Sequence, residues 1–293
     1  MEPSPVAIEC DADADLVNDR PRGLSSPAGE DGHEPEPAGG PAVTARHLNA
    51  FHERALDRGV NPVLYWLVRA VVVPSFLVYF RLRRIGREHI PSSGPVLLAA
   101  NHRSFLDAFV IGSLTRRPVY YVAKRELFER RWQAWLLNGL GAFPVDRGAG
   151  DEQAMATARA ILERGDCVVI FPEGTRVRPG PLGKPRRGVG RLALQTGARV
   201  VPVAVMGTED VRRGWRIRPR KVSVRCGRPL GFPTVDCPSP TIASGVTSRI
   251  WACVGLQWEW LGGATPPARR SFSAGFHSDG RAQPESRTRG VGG

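Results

Sequence analysis

Short runs rich in β-branched residues, spaced by stretches of helical character, limit what this chain can fold into more than any other feature. Strands are expected near Arg83–Gly86, Val96–Ala100, Val119–Ala123, Ala142–Val145, Cys167–Phe171, Val200–Val205 and Lys221–Cys226. Helices are expected near Phe105–Leu114, Arg131–Leu137, Asp151–Arg164, Arg187–Thr196 and Ser239–Trp260. Strands that alternate with helices cannot pair as tight hairpins and imply an α/β domain, in which functional loops gather at strand ends.

One of those junctions carries chemistry. The run Val96–Ala100 leads into Asn101-His102-Arg103-Ser104-Phe105-Leu106-Asp107. Ser104, with Asp107 three positions on, reads as a helix N-cap. A five-residue step inside one helix would turn His102 and Asp107 about 140° apart. With His102 ahead of the cap, the carboxylate can instead fold back onto the imidazole. The result is a His–Asp dyad of the kind that activates serine in hydrolases, without a serine in the motif, so the activated hydroxyl would belong to the substrate. The plainer alternative is that Asp107 only completes a capping box.

Three more strings mark strand ends: Gly141-Ala-Phe143-Pro144-Val145-Asp146-Arg147, Val168-Val-Ile170-Phe171-Pro172-Glu173-Gly174-Thr175-Arg176, and Val200-Val201-Pro202-Val203-Ala204-Val205. In each, proline interrupts a short apolar run near its end, where a strand passes into a loop. Arg147 and Arg176 each close such a loop near an acid, and a guanidinium fork suits a phosphate. Glu173 is expected to hold Arg176 in place, and Gly174 to let backbone approach an anion. With only three lysines, Lys124, Lys184 and Lys221, among 41 basic residues, a single arginine means little. The order of the four strings means more.

In that order the chain resembles the glycerolipid acyltransferases, in particular the bacterial 1-acylglycerol-3-phosphate acyltransferases, over roughly residues 61–230. Asn101, His102 and Asp107 match the family's HX4D motif. Phe143–Arg147, Phe171–Arg176 and Val200–Val203 match the motifs that follow it. The resemblance implies a single acyltransferase-type domain, a mixed sheet flanked by helices, with an N-terminal helical pair of monotopic type. It further implies that Arg147, Glu173, Gly174, Thr175 and Arg176 form the acceptor's phosphate site, with Lys124 a secondary candidate. No metal or redox cofactor is expected; acyl-CoA or acyl carrier protein would be the co-substrate.

Charge and hydropathy place the substrates. Residues 1–50 carry ten acids against three arginines, net −7, so the chain's +13 leaves +20 on residues 51–293. No nucleic-acid motif accompanies that charge, and an anionic membrane surface is the better partner. Five cysteines without metal-ligand spacing suit a reduced compartment. Val63–Phe80 would make a helix about 27 Å long, near the thickness of a bilayer's hydrocarbon core. Arg69 and Pro74 interrupt it, favouring an in-plane or half-embedded anchor over a span; a buried core helix is the third possibility.

The sequence therefore predicts a disordered acidic tail at 1–44, a helical membrane-associating segment at 45–82, an acyltransferase domain at 83–262 and a disordered basic tail at 263–293. The expected activity is acyl transfer to the free hydroxyl of 1-acylglycerol 3-phosphate at the cytoplasmic face of a membrane, giving phosphatidic acid, with His102 as base and Asp107 as its orienter. Another lysolipid, glycerol 3-phosphate, or water in a thioesterase, are the alternative acceptors.

Overall fold

The computed structural model describes residues 45–145, 152–213 and 216–263. The acidic and basic tails, Asp146 and Arg147 lie outside them.

The core strand is β2 (Val96–Ala100), five residues without a polar side chain, each fully buried. Such a strand needs cover on both faces. It is paired in parallel with β5 (Cys167–Ile170) on one side and β6 (Arg199–Met206) on the other. Beyond β5 lie β3 (Val119–Lys124) and then β4 (Ala142–Val145), also parallel. Beyond β6, β9 (Ser223–Cys226) runs antiparallel, and β1 (Arg83–Ile85) pairs parallel with β9. The seven-stranded order is β1-β9-β6-β2-β5-β3-β4. The sheet is mixed because β9 runs antiparallel to β6, and β1, parallel to β9, shares its direction. A separate two-stranded pair, β7 (Arg212–Arg213) with β8 (Arg216–Ile217), has no counterpart in the sequence reading.

Alternation along β2 sorts the two layers of the core. Val96, Leu98 and Ala100 face Leu106, Val110 and Ile111 of α3 (Asp107–Gly112) and its lead-in, together with Phe76 and Phe80 at the end of α2 (Pro62–Tyr79). Leu97 and Ala99 face the opposite layer, built from α1 (Ala45–Asp57), α5 (Glu152–Glu163), α6 (Gly188–Thr196) and α7 (Pro240–Trp260). Gly190 permits the closest crossing in that layer. A Cβ there would sit 2.1 Å from the Ala243 carbonyl oxygen of α7, so any larger residue would push α6 off α7. α4 (Arg131–Gly139) packs near β4, at the sheet's edge.

α1 docks on the domain: Ala55 is buried and the His52 ring nitrogen Nδ1 lies 2.7 Å from Thr157 Oγ1 of α5. α2 behaves differently along its length. Tyr65 and Phe76 are buried, whereas Val63, Leu67, Val71 and Val78 are 63–79% exposed. It is long and apolar enough to cross a membrane by length and composition. Arg69, which interrupts its apolar pattern, turns inward: its guanidinium donates to the Gly112 carbonyl at the end of α3 and lies 5.5 Å over the Trp66 ring. Arg84 donates to the next carbonyl, Ser113, at 2.9 Å, so two cations meet the negative end of α3. Pro74 is accommodated within the helix.

The expected strands recur within one or two residues. The first expected helix is shorter, Asp107–Gly112 rather than Phe105–Leu114, and its N-cap is Leu106 rather than Ser104. The physical reason is that the Asp107 carboxylate captures the backbone N–H groups of Arg103 and Ser104, which closes a turn ahead of the helix.

Candidate active site

Three loops meet at the carboxyl end of the sheet. The first follows β2. Asn101 extends the strand with its side chain, donating to the Val205 carbonyl at 2.9 Å and accepting from the Val205 N–H at 2.8 Å, which aims the next residue out of the sheet. That residue is His102, 8% exposed, with Nδ1 2.9 Å from Asp107 Oδ2. The dyad expected from the spacing is formed. The capping function is real as well, since the same Oδ2 accepts from Arg103 N–H at 2.6 Å and Ser104 N–H at 2.8 Å.

Asp107 is fully buried, and its second oxygen accepts from Thr208 Oγ1 at 2.5 Å. Thr208 was not singled out in the sequence. It stands 101 residues away and is brought in by β6, whose end lies beside that of β2. Four donors therefore converge on one carboxylate and fix its position. With Asp107 as acceptor, Nδ1 carries the proton and Nε2 is left as the basic nitrogen. The imidazole lies flat on Phe171, with ring centroids 4.0 Å apart and an interplanar angle of 20°. Phe171 follows directly on β5 and so fixes the ring from the neighbouring strand.

The loop after β5 is stapled to the His102 turn. The Glu173 carboxylate accepts from the His102 N–H at 2.7 Å through Oε2 and from the Gly183 N–H at 2.7 Å through Oε1. The expected Glu173–Arg176 pairing is thereby corrected: both carboxylate oxygens are taken by backbone donors, and Arg176 is exposed toward solvent. Burial pushes the Glu173 carboxyl above its usual range, while the two N–H donors and nearby Arg103 pull it back. Gly174 has φ +69°, a conformation costly for other residues, and a Cβ there would lie 2.8 Å from Arg186 Nε. The Val177 N–H donates to the His102 carbonyl at 2.9 Å.

Arg103 adds a second staple that the sequence did not reveal. Its buried guanidinium donates to the carbonyls of Arg178, Gly180 (2.5 Å) and Pro181 (3.1 Å), and it lies 4.7 Å over the Trp258 ring of α7. Trp258 is accordingly a core residue, while Trp260 is exposed under Arg225.

His102 opens onto a cavity of about 580 Å³ between α2, α3, β3 and α4. Its walls are mostly apolar, with Val68, Val72, Phe105, Phe109 and Leu137 among them, and Lys124 and Arg176 also line it. Lys124 is half-exposed and paired with Glu126. The structure thus brings His102, Lys124 and Arg176 to one cavity, with Asp107 buried behind the imidazole, uses Glu173 as a backbone strap, and leaves Thr175 exposed. Arg147 lies outside the described residues. No group of three or more His, Cys, Asp or Glu able to hold a metal occurs among the described residues.

Comparison with known proteins agrees with this arrangement. Residues 81–206, which include every strand that carries the site, match the Acyltransferase family. The chain is 30% identical over 147 residues to the 1-acyl-sn-glycerol-3-phosphate acyltransferase of Bacillus subtilis, covering 50% of this chain and 71% of that protein. It is 33% identical over 140 residues to the chloroplastic 1-acyl-sn-glycerol-3-phosphate acyltransferase LPAT1 of Arabidopsis thaliana, covering 47% of this chain and 39% of that one. It therefore spans about two fifths of the plant relative's length. A solved structure, the 1-acyl-sn-glycerophosphate acyltransferase of Thermotoga maritima, aligns with 70% of this chain and 94% of its own, at a TM-score of 0.47 and 20% identity. A dyad with no serine of its own and a matching order of strand-end motifs have one common explanation: the chain belongs to the acyltransferase family.

Proposed function

We propose that this protein transfers an acyl chain from a thioester to the free hydroxyl of 1-acylglycerol 3-phosphate. The observation that carries the reading is the His102–Asp107 dyad at the end of a large apolar cavity. Among the described residues no serine or cysteine side chain is hydrogen-bonded to that imidazole. Nε2 takes the proton of the acceptor hydroxyl as its oxygen attacks the thioester carbon. Asp107 stabilises the imidazolium, and the tetrahedral oxyanion collapses with rupture of the C–S bond. The imidazolium then returns its proton to the departing thiolate. An acyl chain suits the cavity's apolar lining, and Lys124 and Arg176 beside it suit the acceptor's phosphate. Arg147 is assigned to the same phosphate by motif.

The site would work at a membrane surface. α2 exposes Val63, Leu67, Val71 and Val78, and α4 exposes Trp132 and Trp135, so apolar side chains flank the cavity on two of its helical walls. The +20 net charge of residues 51–293 favours anionic lipid.

Purified protein incubated with labelled acyl-CoA and 1-acylglycerol 3-phosphate should yield labelled phosphatidic acid. Free fatty acid without any acceptor-dependent product would instead identify a thioesterase.

A further inference from the structure

A second cavity, of about 360 Å³, also ends on His102. It shares His102, Val122 and Phe171 with the first, so these three side chains form the wall where the two meet. Elsewhere its lining is different. Val145, Met155, Ile170 and Val189 make an apolar floor, and Arg186, Arg187 and Arg191 supply charge. Arg191 is held by Glu152 at 2.6 Å. Arg186 and Arg187 are exposed and have no carboxylate partner among the described residues. The first turn of α6, at Gly188 and Val189, lines the same space with no side-chain cap.

Thioester geometry gives the second cavity a use. The acyl chain and the sulfur arm leave the same trigonal carbon in different directions. A base placed at that carbon therefore needs two channels for one donor. The first cavity is suited to the hydrocarbon, and Lys124 and Arg176 to the acceptor's phosphate. The arm that remains is a narrow chain of methylenes and amides ending in a phosphate. Its chemistry matches an apolar floor that finishes in arginines with no carboxylate partner among the described residues. We propose that the second cavity receives the phosphopantetheine arm of the acyl donor, with Arg186 and Arg187 on its phosphate. This rests on the acyl-transfer reading above. Coenzyme A and acyl carrier protein share that arm, and either satisfies the chemistry.

The test is the double variant Arg186→Ala/Arg187→Ala, both positions being exposed and outside the core. Its KM for acyl-CoA should rise about tenfold or more, while its KM for 1-acylglycerol 3-phosphate stays within about twofold. The rise should disappear with an S-acyl pantetheine that lacks the phosphate. It should persist with acyl carrier protein if the arm alone is read, and shrink if the nucleotide of coenzyme A is read as well. Equilibrium binding of free coenzyme A gives a measurement without chemistry, and it should weaken by a similar factor. A rise confined to the acceptor, an equal rise with the phosphate-free thioester, or unchanged coenzyme A binding would each overturn the proposal. Wild-type protein that binds coenzyme A through these arginines but makes no phosphatidic acid would overturn the acyl-transfer reading instead.

Discussion

Replacing Asp107 by Asn probes the dyad in a way that the geometry makes quantitative. Three donors, His102 Nδ1–H and the N–H groups of Arg103 and Ser104, converge on Oδ2, and among the described residues only Thr208 Oγ1 meets Oδ1. An amide must therefore place its oxygen at the Oδ2 position, since an NH2 there would face three donors. The NH2 then falls beside Thr208, whose hydroxyl can turn and accept. His102 keeps its tautomer and the turn keeps its acceptor; what is lost is the negative charge. A charge pair at about 4 Å is worth about 4 kcal/mol at an effective dielectric constant near 20, which bounds the loss from above. A fall in kcat of about 10²–10³-fold follows. In serine-hydrolase triads, where the amide presents the wrong tautomer, the corresponding loss is about 10⁴-fold. Release of free thiol at saturating donor and acceptor measures the rate, and a thermal melt on the same sample measures the fold. A loss of 10⁴ or more in a fully folded variant would show that the NH2 faces His102 and that the three-donor argument fails. Retention of more than about a third of the activity would remove Asp107 from the mechanism. Ala is the wrong substitution for this purpose. It strands four buried donors at about 1 kcal/mol or more each, a large share of a typical total of about 5–15 kcal/mol.

Other outcomes follow from the same contacts. His102→Ala should lower turnover by about 10²–10⁴-fold or more without shifting the melting temperature much, and a variant above a tenth of wild-type rate would eliminate general-base catalysis by His102. Arg176→Ala and Lys124→Ala should raise the acceptor's KM by about tenfold or more and spare the donor's; steady-state kinetics with each substrate varied in turn separates the two. Burial raises the Glu173 carboxyl, so the folded state binds its proton more tightly than the unfolded state does. Its contribution to stability should therefore rise as pH falls through the raised value toward about 4.3, the unfolded value, and be flat beyond. Glu173→Gln should flatten that part of a urea-midpoint profile, and an unchanged profile would place the titration elsewhere. Burial also pushes the thiols of Cys167 and Cys226 up to about 12, so neither should react with iodoacetamide at neutral pH until the protein unfolds.

What the sequence discloses about this site depends on how local each interaction is. His102 and Asp107 are five residues apart on one strand-to-helix turn, and their spacing alone excludes a shared helical face. Thr208 has no local signal. The one clue was its place just past a strand whose carboxyl end carries the other motifs, and that clue becomes usable only once β6 is known to neighbour β2. Arg103 lies within the motif, yet in a chain so rich in arginine its residue type says nothing; only packing against Trp258 and the carbonyls of 178–181 distinguishes it. Glu173 was misassigned for the same reason in reverse. Arg176 is its nearest cation in sequence, but a buried carboxylate is held as well by backbone N–H groups, which sequence cannot rank. The cavities are products of non-local packing, the first among α2, α3, α4 and the sheet and the second among α5, α6 and the sheet, and no segment of the chain foreshadows them.

The same distinction bears on how α2 would meet a membrane. By composition alone Arg69 only weakens the case for a spanning helix. In the fold it does more, because its guanidinium is bonded to the Gly112 carbonyl and lines the apolar cavity. Drawing α2 out of the domain to span a bilayer would break that bond, uncover the end of α3 and open the cavity wall formed by Tyr65, Val68 and Val72. An in-plane helix keeps all of these contacts and still offers Val63, Leu67, Val71 and Val78 to lipid. On the proposed function, the arrangement also places the apolar cavity next to the surface from which an amphiphilic acceptor arrives. An Arg69→Ala variant separates the two roles: lipid binding should persist at high salt because the exposed apolar face is untouched, whereas the melting temperature and acyl transfer should both fall as α2 loosens from α3. Loss of salt-resistant vesicle binding in that variant, with its stability unchanged, would mean that Arg69 contacts lipid rather than α3.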